Sequence, residues 1–144
     1  MTTTDLLDIT SVSATDVATI KLTHGNGDPL LAPNKEQVSI TVYGPGSDEY
    51  CRAASRRQNW LVEKMRKKGG KLVQTAEEKL EQEARFLAAI TISFNGFAYP
   101  PADGKTGFEL FRAAYSDPKI GFIKDQVAEF AGDWENFSAG SAMS

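Results

Sequence analysis

The single histidine, His24, and the single cysteine, Cys51, are the first residues to weigh for chemistry. A nucleophile–base pair or a His/Cys metal site needs further partners placed around them. His24 lies in His24-Gly25-Asn26-Gly27-Asp28-Pro29, a run of turn formers, and reads as a surface turn residue. Cys51 falls on the flank of the inward side of a helix and reads as a buried structural thiol. Glu77 and Glu81 are one turn apart, but general acid–base work needs burial to raise a carboxyl pKa, and both fall on a water-facing helix side. Gly44-Pro45-Gly46-Ser47 precedes a helix, yet lacks the lysine and longer glycine spacing of a phosphate loop, so it reads as a turn with an N-cap. These residues point to no catalytic group, no metal and no cofactor. The expectation is a protein that is not an enzyme.

Charge is the more informative pattern. Residues 47–71 sum to +5, whereas 1–46, 72–99 and 100–144 sum to −3, −2 and −3, for a net −3. Arg52, Arg56, Arg57, Lys64 and Lys67 supply a basic face, and Trp60 lies between Arg56 and Lys64 at four-residue steps. Cations beside an aromatic are one footprint of nucleic-acid binding. An acidic run, Glu77, Glu78, Glu81 and Glu83, follows one short loop later. Two such helices can pair antiparallel and neutralise each other, so pairing within the chain or between subunits is the preferred reading and nucleic acid the unlikely one.

The elements that must position these residues follow from period and punctuation. Val17 to Thr23 alternates through Ile20 and Leu22, and Val38 to Tyr43 alternates Val38, Ile40 and Val42 against Ser39, Thr41 and Tyr43. Together they predict a small hairpin or sheet with one buried face. Ser47 or Asp48 caps a helix to about Lys68, with Tyr50, Ala54, Leu61 and Met65 inward. Thr75 and Glu78 form a capping box for a second helix, whose later half, Phe86 to Phe94, is apolar all round. Ile90 to Phe94 also alternates as a strand would, but no breaker separates it from the helix start, so helix is expected up to Gly96. Thr106 with Glu109 predicts a second capping box for a short helix ending near Tyr115. Asp117-Pro118 opens a last helix, with Ile120, Ile123, Val127, Phe130 and Trp134 on one face, so Trp134 is expected in the core.

At 144 residues the chain has the length of one ordinary domain. The fold class expected is α+β, mainly helical: a β element over 17–46, about four helices over 47–137, a flexible N-terminus over 1–16 and a flexible tail over 138–144. One cysteine allows no intramolecular disulfide, the N-terminus has no secretory pattern, and no apolar run approaches the roughly 20 residues that span a bilayer. A reducing, cytoplasmic setting away from membranes is expected.

The order of pieces carries a resemblance. A strand leads through Gly25-Asn26-Gly27-Asp28-Pro29-Leu30 to a second strand closing on Val42-Tyr43-Gly44-Pro45-Gly46-Ser47. A basic helix, an acidic helix ending in Phe94-Asn95-Gly96-Phe97, a short helix and a last helix running into Asn136-Phe137 complete it. Over roughly residues 17–138 this resembles the tail assembly chaperones and related small tail-completion proteins of long-tailed bacteriophages, with Phe94 where members often carry Trp. The resemblance implies a non-enzymatic, self-associating protein of the host cell cytoplasm. Its implied partner is the tape-measure protein, whose long helices it keeps soluble, and it implies no catalytic or metal residue. Such work needs a groove of apolar and aromatic side chains. Trp60, Phe94, Phe97, Tyr99 and Phe137 are the partner-binding candidates, Phe137 because it leads into the tail.

Overall fold

A computed structural model describes residues 6–70 and 74–138. The parts of the expected flexible ends at 1–5 and 139–144 lie outside the described residues. Three strands, β1 (Val17–Lys21), β2 (Ser39–Tyr43) and β3 (Thr91–Asn95), form one antiparallel sheet in that order. Four α-helices accompany it: α1 (Asp48–Lys67), α2 (Ala76–Ile90), α3 (Gly107–Tyr115) and α4 (Gly121–Ala131). The fold is α+β.

The two-residue alternation decides which face of the sheet is covered. Ala18, Val38, Ile40 and Val42 are buried, whereas Thr19, Ser39, Thr41 and Asn95 tile the other face and bond to one another: Thr19 Oγ1 lies 3.0 Å from Thr41 Oγ1, and Asn95 Nδ2 donates to both Ser39 and Thr41 hydroxyls. β1 and β2 are joined through two tight turns, with His24 N–H bonded to the Asp28 carbonyl and Ala32 N–H to that of Glu36. His24 is exposed there.

The later half of α2 is the centre of the core: Ala84, Phe86, Leu87, Ala88 and Ile90 are buried in one cluster with the sheet, α3, α4 and Phe137. The expected helix up to Gly96 is corrected here. α2 stops at Ile90 and passes directly into β3, with Thr91 already extended at φ −88°, ψ 132°. No loop residue is needed. The outer edge of β2 offers unpaired backbone groups, and β-branched Thr91 and Ile92 suit a strand better than a helix. Pairing is offset at Thr41/Val42, where Thr91 and Ser93 are opposed and Ile92 is the extra, exposed residue.

Caps behave as local chemistry demands, with one exception. Ser47 accepts from Tyr50 N–H at 3.1 Å, and Thr75 and Glu78 form the reciprocal box. Thr106 precedes α3 without a side-chain cap, and Glu109 pairs with Arg112 at 2.9 Å, so the expected second capping box does not form. The expected last helix is also shorter than its period. Pro118–Ile120 is a 3-10 turn, α4 ends at Ala131 with Gly132 as its C-cap, and Trp134–Phe137 is a separate 3-10 turn. Asp133 accepts from Glu135 N–H, and Asn136 Nδ2 donates to the Phe130 carbonyl, which turns the chain after Ala131.

That turn reverses two expectations. Trp134 is 58% exposed, not core, while Phe137 is fully buried against Phe130 and the backbone of Gly44. The Phe137 ring fills the space a side chain at Gly44 would occupy, so that glycine is required by close approach. Residues 14–16 are tied to the body, since Thr15 N–H and hydroxyl both donate to the Phe137 carbonyl. Cys51 is exposed rather than buried. Among the described residues no helix is long and apolar enough to cross a membrane.

Candidate binding cleft

The turn after β3 builds a strongly apolar concavity. Gly96 adopts φ +86° and lies against Val38, which swings Phe97 back over the ring of Phe94. Their centroids are 4.8 Å apart and nearly parallel, and Phe94 also meets Phe111 at 4.6 Å and Tyr115 edge-on at 5.9 Å. Such ring pairs hold one another's orientation as well as burying area. Leu30 and Leu31 from the β1–β2 connection form one wall, and Ile120 and Ile123 from the start of α4 form the opposite one. The cleft is about 360 Å³, within the range of ligand and side-chain pockets.

Its polar groups are already engaged. Tyr99 donates its hydroxyl to Asp117 Oδ2 at 2.9 Å; burial, and then that bond, push its pKa above the ordinary tyrosine value. Tyr115 is buried, and its hydroxyl lies 2.6 Å from Thr91 Oγ1. Thr91 gives its own proton to the Leu87 carbonyl at 2.7 Å, so Tyr115 is the donor. Burial drives the Tyr115 pKa well above the tyrosine range. Lys124 is the only charged residue in the lining. Burial alone would lower its pKa, but the carboxylate of Glu83 at 3.1 Å and that of Asp125 at 3.4 Å outweigh it and raise the value. The cleft is therefore equipped to bury apolar side chains.

Tyr115 also gives a pH dependence. Above about pH 10 the unfolded chain releases the tyrosine proton that buried Tyr115 retains, so stability falls as pH rises through that range. Tyr115→Phe is expected to flatten this loss, at a cost of about 0.5–1.5 kcal/mol near neutrality for the bond to Thr91. Urea melts of both proteins at neutral and alkaline pH check it; parallel losses in the two would refute the assignment.

Three of the residues nominated from sequence, Phe94, Phe97 and Tyr99, meet in this cleft. Phe137 does not belong to a binding face, because it is inside the core. Trp60 lies elsewhere, half-buried in a groove between α1 and α2 lined by Arg56, Arg57, Gln82 and Arg85. The basic residues nominated from sequence are engaged to different degrees. Arg57 stacks over Phe86 at 4.5 Å, and Lys64 pairs with Glu78 and lies 5.3 Å from the Trp60 ring. Arg52, Arg56 and Lys67 are exposed. Lys64–Glu78 is the one ion pair joining α1 to α2 among the described residues, so the expected mutual neutralisation is slight. On α2, Glu81 instead bonds Arg85 of its own helix at 2.8 Å and Arg112 of α3 at 3.2 Å, and its pKa is lowered, chiefly by Arg85.

Sequence reasoning missed the walls. Periodicity assigns Ile120 and Ile123 to a core-facing helix stripe and gives Leu31-Ala32-Pro33 no role. An apolar run directly after a turn-rich segment was the available signal. No protein family, no curated protein and no solved structure matches this chain.

Proposed function

We propose that the chain is a non-enzymatic binding protein that takes apolar side chains of a helical partner into the Phe94–Phe97–Tyr99 cleft. The observation that carries this reading is the cleft itself: a wide, almost uncharged opening whose two hydroxyls and single amine are already satisfied. An amphipathic helix presents its anchors at steps of three and four residues, and a groove of this kind receives them. Taken with the order of sequence elements, this supports a tail assembly chaperone of a long-tailed phage, acting on the tape-measure protein in the host cell cytoplasm.

Co-expression with the tape-measure protein tests it. The chaperone reading expects the partner to become soluble and to co-purify, and Leu31→Glu to abolish both. Leu31 is 53% exposed at the cleft rim, so its replacement leaves the core intact. Purified virions should lack the chain. Its presence there at stoichiometric level would make it a structural tail component instead.

A further inference from the structure

Leu6, Leu7, Ile9 and Val12 are the most exposed large apolar side chains among the described residues, at 72%, 70%, 70% and 65%. They share one short segment ahead of β1, where Asp8 caps the 3-10 turn Ile9–Val12. Leu6, Ile9 and Val12 recur at the three-residue step of such a turn and so lie on one side of it. None of the four joins the core cluster. An apolar patch this dense marks a surface that another surface covers. Its charge is one-sided as well: Asp5 precedes it, Asp8 lies within it, and no lysine or arginine occurs before Lys21.

The Trp60 groove between α1 and α2 has the complementary chemistry. Buried Phe86 is its floor, Trp60 and Phe108 form sides, and Arg56, Arg57 and Arg85 rim a space of about 180 Å³. Arg57 lies over the Phe86 ring at 4.5 Å. Arg85 holds Glu81 at 2.8 Å, but Glu81 is shared with Arg112, and among the described residues no ion pair reaches Arg56 or Arg57. Such a rim favours a carboxylate, and the rings beneath favour an aliphatic side chain beside it. The attachment of the segment brings it within range. Thr15 is fixed to the Phe137 carbonyl, and Ala14 packs beside Gly46, just ahead of α1. Ala53 to Arg57 lie about 10–17 Å beyond Gly46 along the helix. From Ala14 back to Leu6 the chain spans up to about 26 Å extended, or about 21 Å with the 3-10 turn kept.

We propose that Leu6–Val12 is a strap that folds back along α1 and docks in the Trp60 groove of its own chain. Asp8 then meets the Arg56–Arg57 rim, and Leu6 and Ile9 lie against the Trp60 and Phe86 rings. This contact is separate from the cleft and independent of the function proposed for it.

Cross-linking in a Cys51→Ser background tests it. A short bismaleimide should join Thr10→Cys to Gln82→Cys, at the groove wall, in a product of one 15.7 kDa chain. The yield should be the same at about 1 µM and about 50 µM protein, because a short tether sets an effective concentration near the millimolar range. Thr10→Cys should not link to Gln58→Cys, which lies on the side of α1 opposite Arg56 and Trp60. Arg56→Glu with Arg57→Glu should lose the link, and so should Leu6→Ser with Ile9→Ser. The second pair touches no core contact and should keep the circular dichroism of the parent, so it stands as the test should the arginine pair unfold. Absence of the link through position 82, equal linking through position 58, or a product of two chain masses whose yield climbs with concentration would each overturn the proposal. So would linking that survives either pair of substitutions in a folded protein.

Discussion

Phe137→Ala is expected to be among the most destabilising single changes in this chain, costing about 3–5 kcal/mol, as truncation of a buried phenylalanine does. Three consequences add at this one position. The ring is lost from the core, where it meets Phe130 at a centroid distance of 5.7 Å. The space over Gly44 is left empty, in a turn whose backbone had no side chain to fill it. The Phe137 carbonyl, which holds Thr15 by two bonds, loses the anchor that positions it. For a domain stable by about 5–15 kcal/mol, that is a large fraction. Trp134→Ala, three residues earlier, is expected to fall within about 0.5 kcal/mol of the parent, because the indole is mostly in water. Urea denaturation of both variants measures the contrast. Similar losses, or a larger loss for Trp134, would show that the chain after Gly132 does not turn as described.

Phe97→Glu should have the largest effect on binding. Phe97 is half-buried, stacked on Phe94 and part of the cleft lining, so a carboxylate there places a charge where a partner's apolar anchor would lie. An anchor residue of this kind is worth about 2 kcal/mol or more, which is at least ~30-fold in affinity for an amphipathic segment of the proposed helical partner. Trp60→Glu is the matched control, because Trp60 lies in the charged groove between α1 and α2. Its effect should stay within about threefold. Fluorescence anisotropy with a labelled segment reads both. If Trp60→Glu abolished binding and Phe97→Glu did not, the α1–α2 groove would be the partner site and the cleft would not.

Much of this was legible along the chain, and the reason is physical. The period of two in Val38, Ile40 and Val42 reports a sheet with one covered face, whatever covers it. The Thr75–Glu78 box and the Ser47 cap are made by residues three apart, so they need no distant partner. Clustering of Phe94, Phe97 and Tyr99 was visible because the chain between them is too short to separate them.

Tertiary structure decided the rest, at places where local preference was evenly balanced. Ile90 to Asn95 suits helix and strand alike, and the unpaired edge of β2, some 50 residues away in sequence, turns it into β3. Trp134 and Phe137 are both large, apolar and near the end of a helical period. Burial of one and exposure of the other followed from Gly44, which alone leaves room for a ring at that point in the core. The cleft, too, is made between elements. Leu31, Phe97 and Ile123 are far apart along the chain, and their common wall exists only because the β1–β2 connection, the turn at Gly96 and the start of α4 meet at one end of the sheet.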